Sequence, residues 1–235
     1  MFAIYKREMK SYFTTSAGYV FAALFLALSG LLFGLFTMEL YQTTDVSMYY
    51  QFLMFAYVAV VPMLTMRTFA EERRTKTEQI LLTSPVSLTS IVLAKFFAAF
   101  TMFLGTIAVT LIYVIPLCVY GEPNMGRVFG CMIADILVGM CFIAVGIFVS
   151  SLTDNQFTAA IGTAGILVAL IGVSAVNSRI DSYALRSVLG FISIYSRYSN
   201  FTYGLFDYAS AFYYISVAGI FLFLTVRIYE RRRWN

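Results

Sequence analysis

Apolar and polar residues alternate along this chain in long blocks. Apolar blocks occupy residues 17–37, 50–67, 91–120, 128–152, 157–176 and 209–228. A helix needs roughly 20 residues to cross a hydrocarbon core of ~30 Å, and each block reaches that range. The pattern predicts an all-α integral membrane protein with six transmembrane helices in a single domain over residues 1–235. Ahead of the first block, residues 1–16 place Phe2, Tyr5, Met9 and Phe13 at helical spacing among Lys6, Arg7 and Lys10. That spacing predicts an N-terminal amphipathic interfacial helix lying along the membrane surface. A cleaved signal peptide is the alternative, with Ala27-Leu28-Ser29 as a small-residue cleavage site. Against it, the apolar run continues to Phe36.

Proline and glycine mark where the spans bend or pack. Pro62 removes a backbone donor near the end of the second span and favours a kink, and Pro116 ends or bends the third. Gly30 and Gly34 form a GxxxG pattern, which predicts packing within the chain in preference to dimerisation. Gly139 and Gly146 share one face of the fourth span, and Gly162, Gly165 and Gly172 make the fifth small-sided and suited to close packing. Residues 177–208 carry Arg179, Asp181, Arg186, Arg197 and Asp207 among aromatics. Tyr198, Phe201, Leu205 and Tyr208 fall on one helical face there, which predicts short outer interfacial helices before the last span.

Composition narrows the class. The chain is 60% hydrophobic and 12% charged, where soluble domains carry about 25% charged residues. It has no histidine, the commonest metal ligand and general base. It has no GxxxxGK[ST] phosphate loop. No catalytic, metal or cofactor site is expected. Cys118, Cys131 and Cys141 read as small buried apolar residues, although a Cys118–Cys131 disulfide is left open by their shared outer location. The net charge of +4 requires no nucleic acid, because the basic residues cluster at span ends. Twelve of the sixteen basic residues fall on the side that carries both termini and the loop after the second span. That bias predicts a multi-pass protein of the cell membrane with both termini cytoplasmic.

The densest charge lies between Pro62 and Lys95, and residues 68–90 form its core as a coupling segment. Glu71, Glu72, Arg73, Arg74, Lys76 and Glu78 crowd together; residues 77–82 then turn amphipathic, and Thr83-Ser84-Pro85 stops them. A short helix presenting Ile80, Leu81 and Leu82 docks into a groove while its charges fix orientation. A solvated loop anchoring two helices is the plainer reading, and composition does not separate the two.

This run resembles the segment after the second span in permeases of the type-2 ABC exporter family, most of all the gliding-motility-type permeases. The matching positions are Glu71-Glu72, Arg73-Arg74, Thr77-Glu78, Leu81-Leu82-Thr83-Ser84-Pro85-Val86-Ser87 and Lys95. Lys76 and Ala94 stand where glycine is usual. Arg197-Tyr198, Phe201, Gly204, Asp207 and Tyr213-Tyr214 are similar to that family's segment before its last span, and Arg231-Arg232-Arg233-Trp234 to its basic tail. The resemblance implies a permease subunit of an ATP-driven ABC exporter, paired as a homodimer or with a related permease. It implies two copies of an ABC ATP-binding subunit on the cytoplasmic side, which would hold the ATPase activity, and it leaves room for an auxiliary extracytoplasmic subunit. The family's coupling helix corresponds to residues 77–83. Glu71, Glu72, Arg73, Arg74, Thr77, Glu78, Leu81, Leu82, Ser84 and Pro85 are therefore expected to contact the ATPase. Tyr5, Lys6, Arg7 and Lys10 of the N-terminal helix are expected to contact it too. Mechanotransmission, in which the same motion passes force to a periplasmic or surface partner without transport, is the alternative function.

Asp135 is the one acid well inside an apolar span. An ionisable group there is costly and points to function, either in a substrate path or against a partner helix. A hydrogen bond to a nearby Ser, Thr or Tyr is the structural alternative.

Overall fold

The computed structural model of the chain describes residues 1–39, 45–79, 86–177, 190, 193–202 and 207–234. Among them α1 (Phe2–Thr14) turns into α2 (Ser16–Phe33), which continues as a π-helical segment, Gly34–Glu39. Next come α3 (Ser47–Thr65), α4 (Ala70–Arg74) and α5 (Leu88–Thr110). A 3-10 turn, Leu111–Tyr113, joins α5 to α6 (Val114–Tyr120). The remaining helices are α7 (Met125–Leu152), α8 (Gln156–Asn177), α9 (Ile194–Thr202) and α10 (Tyr208–Trp234). Among the described residues, six stretches are long and apolar enough to cross a membrane: Ser16–Thr37, Ser47–Arg74, Leu88–Val119, Met125–Leu152, Gln156–Ala175 and Tyr208–Arg233. They coincide with the six apolar blocks. The last helix also takes in the basic tail, where Arg231, Arg232 and Arg233 suit the negative end of the helix dipole.

The bundle is built around α7, which packs against α3, α5, α8, α9 and α10. Its most apolar window is 67% buried within the chain, against 22% for α8. Two glycines permit this central position. A Cβ at Gly139 would run into the Phe103 ring of α5, and one at Gly146 would run into the Thr65 hydroxyl of α3. Gly30 and Gly162 pack within the chain as their patterns predict, and three other glycines do not. Gly30 faces the Tyr113 hydroxyl, and Gly162 meets Val149, but nothing lies within 4 Å of a Cβ added at Gly34, Gly165 or Gly172. A small residue at those three positions therefore serves no close packing among the described residues.

The two prolines within the spans differ in their effect. Pro116 cannot donate to the Ile112 carbonyl, and the helix tightens to 3-10 geometry at Leu111–Tyr113. Pro62 remains inside α3.

Three further expectations change. The inward face of α1 carries Ile4, Met9 and Tyr12, whereas Phe2 and Phe13 are exposed. The helix is rolled so that its tyrosines reach the bundle: Tyr5 donates to the Thr101 hydroxyl at 3.1 Å and Tyr12 to the Leu64 carbonyl at 3.4 Å. Tyr198 and Phe201 of α9 are fully buried against the bundle, because α9 docks on α7 and α8. Tyr208 does not share their face; it starts α10 and is exposed. The three cysteines are free, with Cys131 and Cys141 buried and Cys118 exposed, so no Cys118–Cys131 bridge forms. Arg179, Asp181, Arg186, Gly204 and Leu205 lie outside the described residues.

Candidate functional site

Both termini, the segment after α3 and the start of α5 converge at one end of the bundle. The segment after α3 is shaped by a residue on another helix. Ser150 of α7 accepts hydrogen bonds from the backbone amides of Phe69 and Ala70, each at 3.1 Å, and donates to the Met66 carbonyl at 3.2 Å. These contacts satisfy donors at the start of α4 that no side-chain cap within the segment supplies. Past α4, the Thr75 hydroxyl donates to the Glu71 carbonyl at 2.9 Å, and Lys76 takes a left-handed conformation with φ 59°. Lys76 is the position where the resembling permeases usually carry glycine. A non-glycine residue there costs roughly 1–2 kcal/mol.

The centre of this end is Lys95 of α5, with its side chain 1% exposed. Its Nζ donates to Glu8 of α1 at 3.2 Å, to Glu72 of α4 at 2.9 Å and to the Thr68 carbonyl at 2.7 Å. It also lies 5.0 Å from the centroid of the Phe69 ring. Arg7 closes the cluster, 2.7 Å from Glu8 and 3.0 Å from Glu72. Hydrogen bonding to Glu8, with the Glu72 charge beside it, holds the Arg7 guanidinium above its ordinary pKa despite partial burial. Two cations and two carboxylates leave the cluster neutral. A buried charge is tolerated under those conditions, and the loss of one partner is costly. The arrangement ties α1, α4 and α5 into one unit. A cleft of about 370 Å³ opens beside it, lined in part by Arg7, Arg67, Glu71, Glu72 and Thr77.

The expected ATPase-contact residues divide between this cluster and its surroundings. Glu72 turns inward to Lys95 and Arg7. Glu71 is half-buried on the cleft. Arg73 donates to the Leu152 carbonyl at 2.8 Å, and Arg74 is exposed. The Thr77 hydroxyl donates to the Glu72 carbonyl at 3.3 Å. Glu78 pairs with Arg232 of α10 at 3.2 Å, and Arg232 also donates to the Ser151 carbonyl at 2.7 Å. In α1, Tyr5 faces α5 and Thr101, Arg7 faces Glu72, and Lys6 and Lys10 are exposed. Leu81, Leu82, Ser84 and Pro85 lie outside the described residues, as do Ile80 and Thr83. Sequence reasoning missed Glu8, Ser150 and Arg232 as partners. Glu8 had a visible signal, since it sits one turn from Ile4 and Tyr12 on the inward face of α1. Ser150 and Arg232 had none.

Asp135 lies far from this end, in the middle of α7. It is 1% exposed and accepts hydrogen bonds from Tyr57 of α3 and Tyr198 of α9, both at 2.9 Å. The arrangement matches the structural alternative for this residue. At the far end of the bundle Arg127 pairs with Asp45 at 2.7 Å. Burial would raise the Asp45 pKa, but the Ser47 hydroxyl and amide, with Arg127, outweigh it and hold the carboxyl below its usual range.

Compared with known families, residues 37–229 match the model described as ABC-2 family transporter protein. No curated protein matches the chain. The matched range takes in the second to fifth spans and the sixth as far as Tyr229, and it includes Glu72, Glu78, Lys95 and Asp135.

Proposed function

The chain belongs to the ABC-2 transporter family, as a multi-pass permease subunit of an ABC transporter, and on that premise we propose that it couples ATP hydrolysis on a separate ATP-binding subunit to export of a substrate. The ATP-binding subunits, two per assembly, dock at the end that carries both termini, on the cytoplasmic side. Two permease chains pair in the membrane. The observation that carries this reading is the Lys95 cluster. It joins α1 and α4, the elements expected to meet the ATPase, to a membrane-spanning helix through bonds of 2.9 to 3.2 Å. A push on either element is delivered to α5 and from there to α7, which packs on it. Nucleotide binding on the partner then biases the permease between two packings.

The test is co-purification from native membrane in mild detergent, followed by an ATPase assay and transport by the reconstituted complex. The expected result is an ATP-binding subunit in the complex, ATP turnover, and ATP-dependent movement of substrate. A chain that purifies alone in several detergents, with no ATPase activity, overturns the reading. ATP turnover with no transported substrate would favour force transmission instead.

A further inference from the structure

A second feature at the termini end is an open groove of about 910 Å³ between the last turns of α7 and α10. It lies away from the Lys95 cluster and depends only on the chain spanning a membrane, not on the coupling reading. Its walls are Phe148 and Leu152 of α7 and Leu224 and Ile228 of α10. Phe148 stacks edge-on against Phe221, with centroids 5.5 Å apart, and marks the groove's inner limit along α10. Its mouth carries Arg227, Glu230 and Arg231.

We propose that this groove holds one anionic phospholipid of the surrounding bilayer, with an acyl chain along the apolar walls and the phosphate at Arg231. Three observations commit the site to that occupant. First, the depth fits. α10 starts at Tyr208, and at 1.5 Å per residue Arg227 lies about 28 Å and Arg231 about 35 Å along it. A hydrocarbon core is ~30 Å thick, so the apolar walls lie within acyl-chain depth and Arg231 at headgroup depth. Second, the mouth has an uncompensated positive charge. Arg227 is already engaged, pairing with Glu230 and lying 4.9 Å from the Phe223 ring centroid. Arg231 is exposed and has no hydrogen-bond or ion-pair partner among the described residues. Third, the rotation of α10 is fixed. Arg232 is bound to Glu78 and Ser151, which keeps its neighbour Arg231 on the groove side. An apolar slot topped by an unpaired guanidinium is the combination that selects an anionic headgroup over a zwitterionic one.

The experiment uses the full chain in nanodiscs of equal phosphatidylglycerol and phosphatidylcholine, extracted gently, with native mass spectrometry counting the retained lipid. The wild-type chain is expected to retain phosphatidylglycerol over phosphatidylcholine by about fivefold, the effect of one cation at the membrane surface. Arg231→Gln is expected to bring the two lipids near parity. Leu152→Trp with Leu224→Trp, which fills the groove from two exposed positions, is expected to lose both lipids at an unchanged melting temperature. Added inorganic phosphate is expected to leave the lipid bound, because the acyl chain anchors it; displacement by phosphate alone would overturn the lipid assignment. Unchanged phosphatidylglycerol preference in Arg231→Gln overturns the proposal. So does full lipid retention in the filled variant, which would mean unspecific annular lipid. Chain-to-chain crosslinking through Leu224→Cys would assign the groove to a second copy and overturn it as well.

Discussion

Among the described residues, one lysine and one aspartate are almost wholly buried, and they are held in opposite ways. Lys95, at the termini end, is surrounded by charge: two carboxylates, a neighbouring guanidinium and a carbonyl. Asp135, in the middle of α7, is surrounded by neutral donors, the hydroxyls of Tyr57 and Tyr198. The Asp135 site fastens three helices with directional bonds whose partners are all buried, so no outside group competes for them. The partners of the Lys95 site are themselves partly exposed on a cleft, with Arg7 56% exposed at the side chain. An approaching protein can offer new charges to Arg7 and Glu72 and so redistribute the bonds. One site is built to hold, and the other holds while remaining addressable.

The comparison can be broken most directly at Lys95. Lys95→Met leaves Glu8 and Glu72 with Arg7 as their one remaining shared cation, so the cluster carries a net negative charge, and the change is expected to cost about 3–5 kcal/mol, read as a lower unfolding temperature in detergent. Asp135→Leu is next. Two buried hydroxyls lose their acceptor, for about 2–3 kcal/mol. Asp135→Asn keeps one acceptor oxygen and is expected to lose less and to leave export intact. If the Asn variant folds normally yet abolishes export, Asp135 belongs to a substrate path and the contrast between the two sites fails. A smaller effect is expected at Glu78. Glu78→Arg sets two guanidiniums together beside Ser151, and ATP turnover should separate from transport while the fold is kept, at a cost of about 1–2 kcal/mol because the pair is 14% and 25% exposed at its side chains. Combining it with Arg232→Glu restores coupling if Glu78 acts through α10; no restoration would mean that Glu78 meets the ATPase directly. The smallest change has the opposite sign. Lys76→Gly relieves the left-handed backbone and is expected to stabilise the protein by about 1 kcal/mol, raising the melting temperature.

The spans were legible because an apolar block of membrane length with at most one charge suits a hydrocarbon core and little else. Asp135 was legible as an exception to its block. Its partners were not, because the chain has 17 tyrosines and nothing local marks Tyr57 or Tyr198 as the two that reach it. Tyr198 also sits among Arg197, Ser199 and Asn200, a polar context that suits an interface; only the docking of α9 on α7 buries it. The charged segment was legible as a site, but the pairing within it was not. Glu72 has Arg73 and Arg74 beside it in sequence and bonds instead to Lys95 and Arg7, which arrive on other helices. Lys76 was the subtler signal. The resemblance marked it as a glycine position, and the positive φ gives the physical reason.

The irregular backbone has a mechanical consequence. α7 and α10 run without interruption, for 28 and 27 residues, and behave as stiff rods. The π segment after α2 and the 3-10 turn after α5 are the soft joints, with weaker hydrogen-bond geometry than a regular helix. They lie side by side: Phe33, next to the π segment, stacks on Tyr113 of the 3-10 turn at 4.8 Å. Compliance is therefore concentrated at one level of the bundle, beyond the centre from the termini. A load applied at the termini end passes along rigid members and deforms the chain where its helices are already least regular.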